Sequence, residues 1–320
     1  MDMKIVVLDG YCLNPGDNSW SGVESFGDFV TYDKTADSEV LERARGADIL
    51  LTNKTNITEE MMNKLPNLKF ISVLATGHNI VDGTAARSRD IPVSHVPVYG
   101  TPTVAQNTFA LLLELCNQVG YHSSEVIKKG RWARSEHWCF WDTPLVELAG
   151  KTMGIIGFGR IGQAVGRIAK AFDMNVIAAD IYQESPPDYE FSWRKIDEIF
   201  TEADAVSLHC FLTRENEGMV NKTVLSRMKK TAYLINNSRG QLINGPDLAE
   251  ALNNGVLAGA ALDVVAVEPI KPDNPLLKAK NIIITPHNAW GTLEARKRLM
   301  DTTVENITAF VDGTPINVVN

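Results

Sequence analysis

A chain of 320 residues is longer than one compact core usually holds, so two domains are expected. Its 44% hydrophobic and 22% charged residues suit a folded globular protein, and no apolar run is long enough to span a bilayer, so no membrane partner is expected. The formal net charge of −8, with no basic run, argues against a nucleic-acid surface, and Cys12, Cys116, Cys139 and Cys210 lack metal-ligand spacing, so no metal site is expected and the thiols are read as reduced.

Residues 3–9 read as a strand ending in an acid, too short and too poor in cleavage-site residues for a secretory signal, which points to the cytoplasm. Apolar runs at 49–51, 70–74 and 92–96 follow, separated by helix-compatible segments at 59–64 and 82–89. This alternation is the pattern of a parallel sheet. A strong helix is predicted from 103 to about 119, with Val104, Thr108, Leu111, Leu112, Leu115 and Val119 on one stripe and Pro102 near its first turn. Lying between two strand-rich units, it is expected to bridge them. Residues 131–145 lack helical period and carry Trp132, Trp138 and Trp141. They are read either as a packed loop or, in the sharper reading, as the subunit interface of a homodimer, where aromatics are enriched.

The apolar run 153–156 then leads into Gly157-Phe158-Gly159-Arg160-Ile161-Gly162, after which Ile161, Val165, Ile168, Ala169 and Phe172 recur at helical spacing. Glycines at such a strand-to-helix turn suit a dinucleotide: Gly157 for the tight turn, Gly159 for close approach of a pyrophosphate, Gly162 for helix-to-strand packing. The next apolar run, 176–179, ends on Asp180, an acid that can accept from ribose hydroxyls and repels a 2′-phosphate. With no compensating cation at Ile181 or Tyr182, the expected cofactor is NAD.

Strand-like runs continue at 205–208, 232–235, 259–262 and 282–284, and the clearest intervening helix opens at Asn244-Gly245-Pro246-Asp247 and closes at Gly255. Six parallel strands are thus expected in this half, as a doubly wound sheet. A last amphipathic helix, from 292 to about 310, exceeds what that sheet needs and is expected to return to the first unit. The predicted division is 1–101 with 288–320 for one domain and 102–287 for the other, with a cleft and two crossings between them.

Three polar residues fall at or just beyond predicted strand ends, where open α/β sheets bind ligands: Arg239, Glu268 and His287. Singly, each reads as an ordinary solvated or structural side chain. Together they supply the parts for hydride transfer to a 2-oxo acid. Arginine can fork onto a carboxylate and donate to the carbonyl oxygen, histidine titrates near neutrality, and a carboxylate on the far ring nitrogen holds its tautomer.

The fingerprint with Asp180, the block Asn237-Ser238-Arg239-Gly240, residues 263–269, and Pro286-His287-Asn288-Ala289-Trp290 together resemble the D-isomer-specific 2-hydroxyacid dehydrogenases over essentially the whole chain. Residues 73–82, 97–100 and 144–148 look most like the glycerate dehydrogenase, or hydroxypyruvate reductase, branch. The resemblance implies two doubly wound α/β domains, a Rossmann NAD-binding domain inserted into a flavodoxin-like substrate domain. It implies that Arg239, Glu268 and His287 are catalytic and that the backbone at Ala75, Thr76 and Gly77, with Arg239, holds the substrate carboxylate. Asp263 would bind the nicotinamide carboxamide. The remaining cofactor contacts would come from Thr103, Gly157 to Gly162 (Phe158, Gly159, Arg160 and Ile161 between them), Asp180, His209, Thr213, Asn237, Ser238, His287 and Ala289. His78, where relatives more often have tyrosine, and Phe211, where they usually have proline, depart from the pattern. Alternatives are a dehydrogenase for another small D-2-hydroxy acid, such as D-lactate or a phosphorylated glycerate, and a non-catalytic NAD-binding regulator.

Overall fold

The computed structural model describes residues 3–320 of the chain, which divide into two compact units. The first comprises the residues up to Gly100 together with Trp290–Asn320, and the second is Thr101–Ala289.

In the first unit β1 (Met3–Val7), β2 (Gly27–Thr31), β3 (Ile49–Thr52), β4 (Phe70–Val73) and β5 (Val93–Ser94) form one parallel sheet in the order β2-β1-β3-β4-β5, the flavodoxin-like order. β3 and β4 are buried along their whole length, as a parallel strand covered on both faces must be. Helix Leu293–Val311, opened by Thr292 accepting from the Ala295 N–H at 3.3 Å, brings Leu299, Met300 and Ile307 onto the sheet face formed by Ile5, Val7, Leu51 and Phe70. Phe310 stacks on Phe70 with ring centres 4.5 Å apart. The last residues add antiparallel backbone bonds to the β5 edge, Val319 N–H to Val93 C=O at 2.9 Å and His95 N–H to Asn317 C=O at 3.1 Å.

In the second unit β6 (Thr152–Ile156), β7 (Asn175–Ala179), β8 (Ser192–Trp193), β9 (Ala205–Leu208), β10 (Tyr233–Asn236), β11 (Gly259–Leu262) and β12 (Ile282–Ile284) are all parallel, in the order β12-β11-β10-β9-β6-β7-β8. The sheet therefore has seven strands where six were expected. The addition, β8, is a two-residue edge strand on β7 with too little apolar sequence to be read in advance. The helix predicted to reach about 119 also ends earlier, at Asn117. Gln118 takes φ +49°, and a second helix, Val119–Ile127, departs in a new direction. Val119 is consequently exposed, whereas Val104, Thr108, Leu111 and Leu112 are buried, and the first of these helices, Thr101–Asn117, belongs wholly to the second unit and packs on helix Arg160–Ala171. Helix Gly245–Asn253 starts as its sequence suggests, with the Asn244 side chain accepting from the Asp247 N–H. No helix among the described residues is long and apolar enough to cross a membrane.

Candidate active site

At the C-terminal end of β6 the chain makes the turn that its glycines allow. Gly157 takes φ +90°, and a side chain there would run into the backbone at His209 and Cys210; one at Gly162 would meet the Gly157 carbonyl. At Gly159, by contrast, a Cβ would meet nothing within 4 Å. Helix Arg160–Ala171 follows with no side chain capping its N-terminus, so its first-turn N–H groups remain for an anion. An open face at Gly159 over uncapped N–H groups fits a pyrophosphate. The Phe158 ring is not part of that face, because it is buried against Phe191 and Trp193 at 4.7 and 5.5 Å between ring centres.

Asp180 follows β7 and bends back to the same turn. One carboxylate oxygen accepts from the Phe158 N–H at 2.5 Å and the other from the Tyr182 N–H at 3.0 Å, so the side chain is held at the turn with lone pairs left for hydroxyl donors. Ile181 and Tyr182 beside it are exposed and carry no positive charge. After β9, His209 Nε2 bonds the Ser207 hydroxyl at 2.8 Å, and burial pushes its pKa down to about 4, leaving a neutral ring. The loop beyond it is closed by a residue not singled out from sequence. Asn216 accepts from the Thr213 N–H at 2.8 Å and donates to the Phe211 carbonyl at 2.7 Å, while the Phe211 ring stays exposed. Thr103 is buried in the first turn of helix Thr101–Asn117, and the Asn237 amide meets the Thr108 hydroxyl at 3.0 Å.

β10, β11 and β12 are neighbours in the sheet, and the loops leaving their C-terminal ends carry Arg239, Glu268 and His287. The first loop is set by Asn236, fully buried at the end of β10. Its amide donates to the Arg239 carbonyl at 2.9 Å and accepts from the Ser238 N–H at 3.0 Å. Ser238 adds a bond from its hydroxyl to the Cys210 carbonyl at 2.5 Å, and the Arg239 side chain is left exposed, donating among the described residues only to the Ser238 carbonyl at 2.8 Å. Gly240 then passes so close to Val265 and Ala266 that a Cβ would overlap their backbone. The first two loops are thus in backbone contact.

Asp263, 1% exposed, ties the second loop to the third. Its carboxylate accepts from the Thr285 hydroxyl at 2.5 Å and from the backbone N–H groups of Asn288 and Ala289 at 3.0 and 2.9 Å, and its carbonyl accepts from the His287 N–H at 2.8 Å. The likeness suggested a nicotinamide contact for Asp263; the structure gives it this turn-holding set of donors. Glu268 spans the same two loops, one oxygen accepting from the Val265 N–H at 3.1 Å and the other meeting His287 Nδ1 at 2.6 Å. A carboxylate on Nδ1 fixes the ring so that Nε2, which makes no protein hydrogen bond among the described residues, can take up or release a proton. An exposed guanidinium, an oriented imidazole and its carboxylate on adjacent loops are what carbonyl reduction requires.

Ala75, Thr76 and Gly77 lie in the first unit, directly after β4. Thr76 donates its hydroxyl to the Val96 carbonyl at 2.8 Å, and the Val96 N–H donates to the Ala75 carbonyl at 3.1 Å. The N–H groups of Thr76 and Gly77 have no hydrogen-bond partner among the described residues. Asn236, Thr285 and Asn216 were missed from sequence. Only Asn236 left a signal there, as an amide closing an otherwise apolar strand run.

Residues 109–289 match the family described as D-isomer specific 2-hydroxyacid dehydrogenase, NAD binding domain. A hydroxypyruvate reductase of Blautia hydrogenotrophica is 52% identical over 99% of this chain and 100% of its own. Among solved structures, an acyclic imino acid reductase in complex with NADPH and D-Arg superposes with a TM-score of 0.83 at 30% identity, covering 99% of this chain and 100% of that one. An NAD-complexed D-isomer specific 2-hydroxyacid dehydrogenase from Lactobacillus delbrueckii ssp. bulgaricus does so with a TM-score of 0.78 at 27% identity, again over 99% of this chain and 100% of that one.

Proposed function

Because the chain belongs to the D-isomer specific 2-hydroxyacid dehydrogenase family, we propose that it reduces hydroxypyruvate to D-glycerate, with NADH as the hydride donor. The observation that carries the chemistry is the 2.6 Å contact between Glu268 and His287 Nδ1, on a loop next to that of Arg239. A bound dihydronicotinamide supplies the hydride to the carbonyl carbon. His287 delivers its Nε2 proton to the carbonyl oxygen, and Glu268 stabilises the charged ring before that transfer and holds its orientation after it. Arg239 forks onto the carboxylate and donates towards the carbonyl oxygen, drawing charge from the carbon that accepts hydride. The N–H groups of Thr76 and Gly77 serve as further carboxylate donors. Substrate choice follows the likeness to the Blautia hydroxypyruvate reductase.

NAD is preferred over NADP because Asp180, held by the Phe158 and Tyr182 N–H groups, would set a carboxylate against a 2′-phosphate with no cation beside it. Thr103, Thr213, Asn237, Ser238 and Ala289 complete the cofactor contacts, and Asp263, besides holding its turn, retains a lone pair for a carboxamide N–H. NADH absorbance with hydroxypyruvate, glyoxylate, pyruvate and an imino acid tests this reading. Hydroxypyruvate should give the highest kcat/KM, with NADH favoured over NADPH by roughly tenfold or more, the equivalent of ~1.4 kcal/mol. Equal use of both cofactors, or a preference for another substrate, overturns the corresponding half.

The reading extends to a cytoplasmic homodimer. Cys12, Cys116, Cys139 and Cys210 are all free thiols, which suits a reducing compartment. Trp132, Trp138 and Trp141 are 52%, 85% and 60% exposed, on a loop ordered by the Arg131–Asp142 ion pair and by the Tyr121 hydroxyl donating to the same carboxylate at 2.5 Å. Exposed aromatics on an ordered loop suit a subunit interface. Light scattering that gives the mass of one chain would remove that part of the proposal.

A further inference from the structure

We propose that His95 is a positioning residue for the substrate carboxylate, acting through the Thr76–Gly77 peptide. This rests on the reading of Thr76 and Gly77 as carboxylate donors and adds what aims them. His95 follows β5, the strand beside β4, and its Nδ1 lies 2.8 Å from the Thr76 carbonyl oxygen. A carbonyl can only accept, so Nδ1 carries the hydrogen and the ring donates. The carbonyl of Thr76 and the N–H of Gly77 belong to one planar trans peptide, in which C=O and N–H point in opposite directions. Fixing the oxygen on His95 therefore fixes the direction of the Gly77 N–H, which is unpartnered among the described residues. The bond also withdraws charge through the peptide, making that N–H a better donor to an anion.

The ring can do this because His95 is itself held on several sides. Its N–H donates to the Asn317 carbonyl at 3.1 Å, and its carbonyl accepts from Asn306 Nδ2 at 3.0 Å. Asn306 is in turn bonded by Asn317 at 2.8 Å, and the His78 ring stands edge-on to that of His95 with centres 5.4 Å apart. The terminal helix and the residues after it thus brace the loop on which His95 sits. The Thr76 hydroxyl fixes only its own side chain, so without His95 the following peptide can rotate away from the substrate.

His95→Leu removes the donor at similar bulk, and His95→Asn restores an N–H the same number of bonds from Cβ. KM for hydroxypyruvate, kcat and the NADH dissociation constant should be measured for both variants. His95→Leu should raise KM roughly tenfold, the scale of one lost hydrogen bond to a charged group, with kcat within about twofold and NADH affinity unchanged. His95→Asn should return KM to within about twofold of the parent. A merely structural role predicts equal damage from both variants or weakened NADH binding. A parental KM in His95→Leu, or an Asn variant as impaired as the Leu one, overturns the inference. Failure of the underlying reading shows separately: a parent protein that reduces a hydroxyketone lacking the carboxylate as well as it reduces hydroxypyruvate has no carboxylate grip for His95 to aim.

Discussion

His287 has φ +51°, a left-handed conformation that costs a residue with a side chain on the order of 1 kcal/mol. Asp263 offsets that cost by accepting the N–H groups of His287, Asn288 and Ala289 on its carbonyl and carboxylate, so the strain persists where the histidine is presented to Glu268. If the ring is the proton donor, His287→Ala should lose roughly 10²- to 10⁴-fold in kcat while the NADH dissociation constant holds. Glu268→Gln should also lower kcat with NADH affinity unchanged, because a neutral amide holds Nδ1 less firmly than the carboxylate that meets it at 2.6 Å. An alanine variant at parental rate, or a parental kcat in the glutamine variant, would remove these assignments. His209 makes a different prediction, about folding. Its folded pKa of about 4 lies below the ~6.5 of a solvated ring, so between those values the unfolded chain binds a proton that the folded chain excludes. The stability it contributes is complete above about pH 6.5 and declines as pH falls towards 4. Urea midpoints across that range should fall less steeply in His209→Gln; parallel curves would show that another group governs the slope.

At the scale of elements, the loops after β10 and β11 behave as one body because Gly240 lies against the Val265 and Ala266 backbone. Gly240→Ala cannot be absorbed by a side-chain rotation. It must displace Arg239 on one side or the Val265 N–H that holds Glu268 on the other, and a displacement near 1 Å at such groups costs about 10²-fold in rate. Parental kcat/KM in a folded Gly240→Ala protein would show that the loops are independent. These loops also mark the limit of what the sequence discloses. Arg239, Glu268 and His287 could be picked out because each follows a legible apolar strand, and β9, β11 and β12 occupy the runs that predicted them. The backbone contacts that hold the surrounding loops could not. Asp263 works through backbone N–H groups, and Asn216 closes its loop through a carbonyl, contacts that depend on a turn having formed and leave no periodicity. β2 and β8 escaped for a related reason: both are edge strands, where half-exposed residues such as those of Gly27–Thr31 need not be apolar. The break at Gln118 was hidden because Val119 continues the apolar stripe in sequence, although the backbone has already turned.

For the whole molecule, the order of the chain sets which part can fold without the rest. The second unit is continuous, Thr101–Ala289, and both faces of its sheet are covered by its own residues. One core groups Ile156, Phe200, Leu234 and Leu262, and the other Phe109, Leu112, Ile155 and Ile235. The first unit is discontinuous. One face of its sheet is closed almost entirely by residues before Gly100, but the other relies on Leu299, Met300 and Ile307 from the terminal helix. Each such side chain contributes about 1.5–3 kcal/mol on burial, so losing three of them, with the Phe70–Phe310 stack, removes an amount comparable to the ~5–15 kcal/mol stability of a whole domain. Residues 101–289 expressed alone should therefore unfold cooperatively and bind NADH, since the Gly157 turn, Asp180 and His209 are all present. Residues 1–100 alone should show no cooperative transition until a peptide of residues 290–320 is added. Circular dichroism melts and NADH fluorescence titration of the two fragments decide the matter. A 101–289 fragment that neither melts nor binds, or a 1–100 fragment that melts sharply by itself, would mean that the folding units are not the ones the chain order implies.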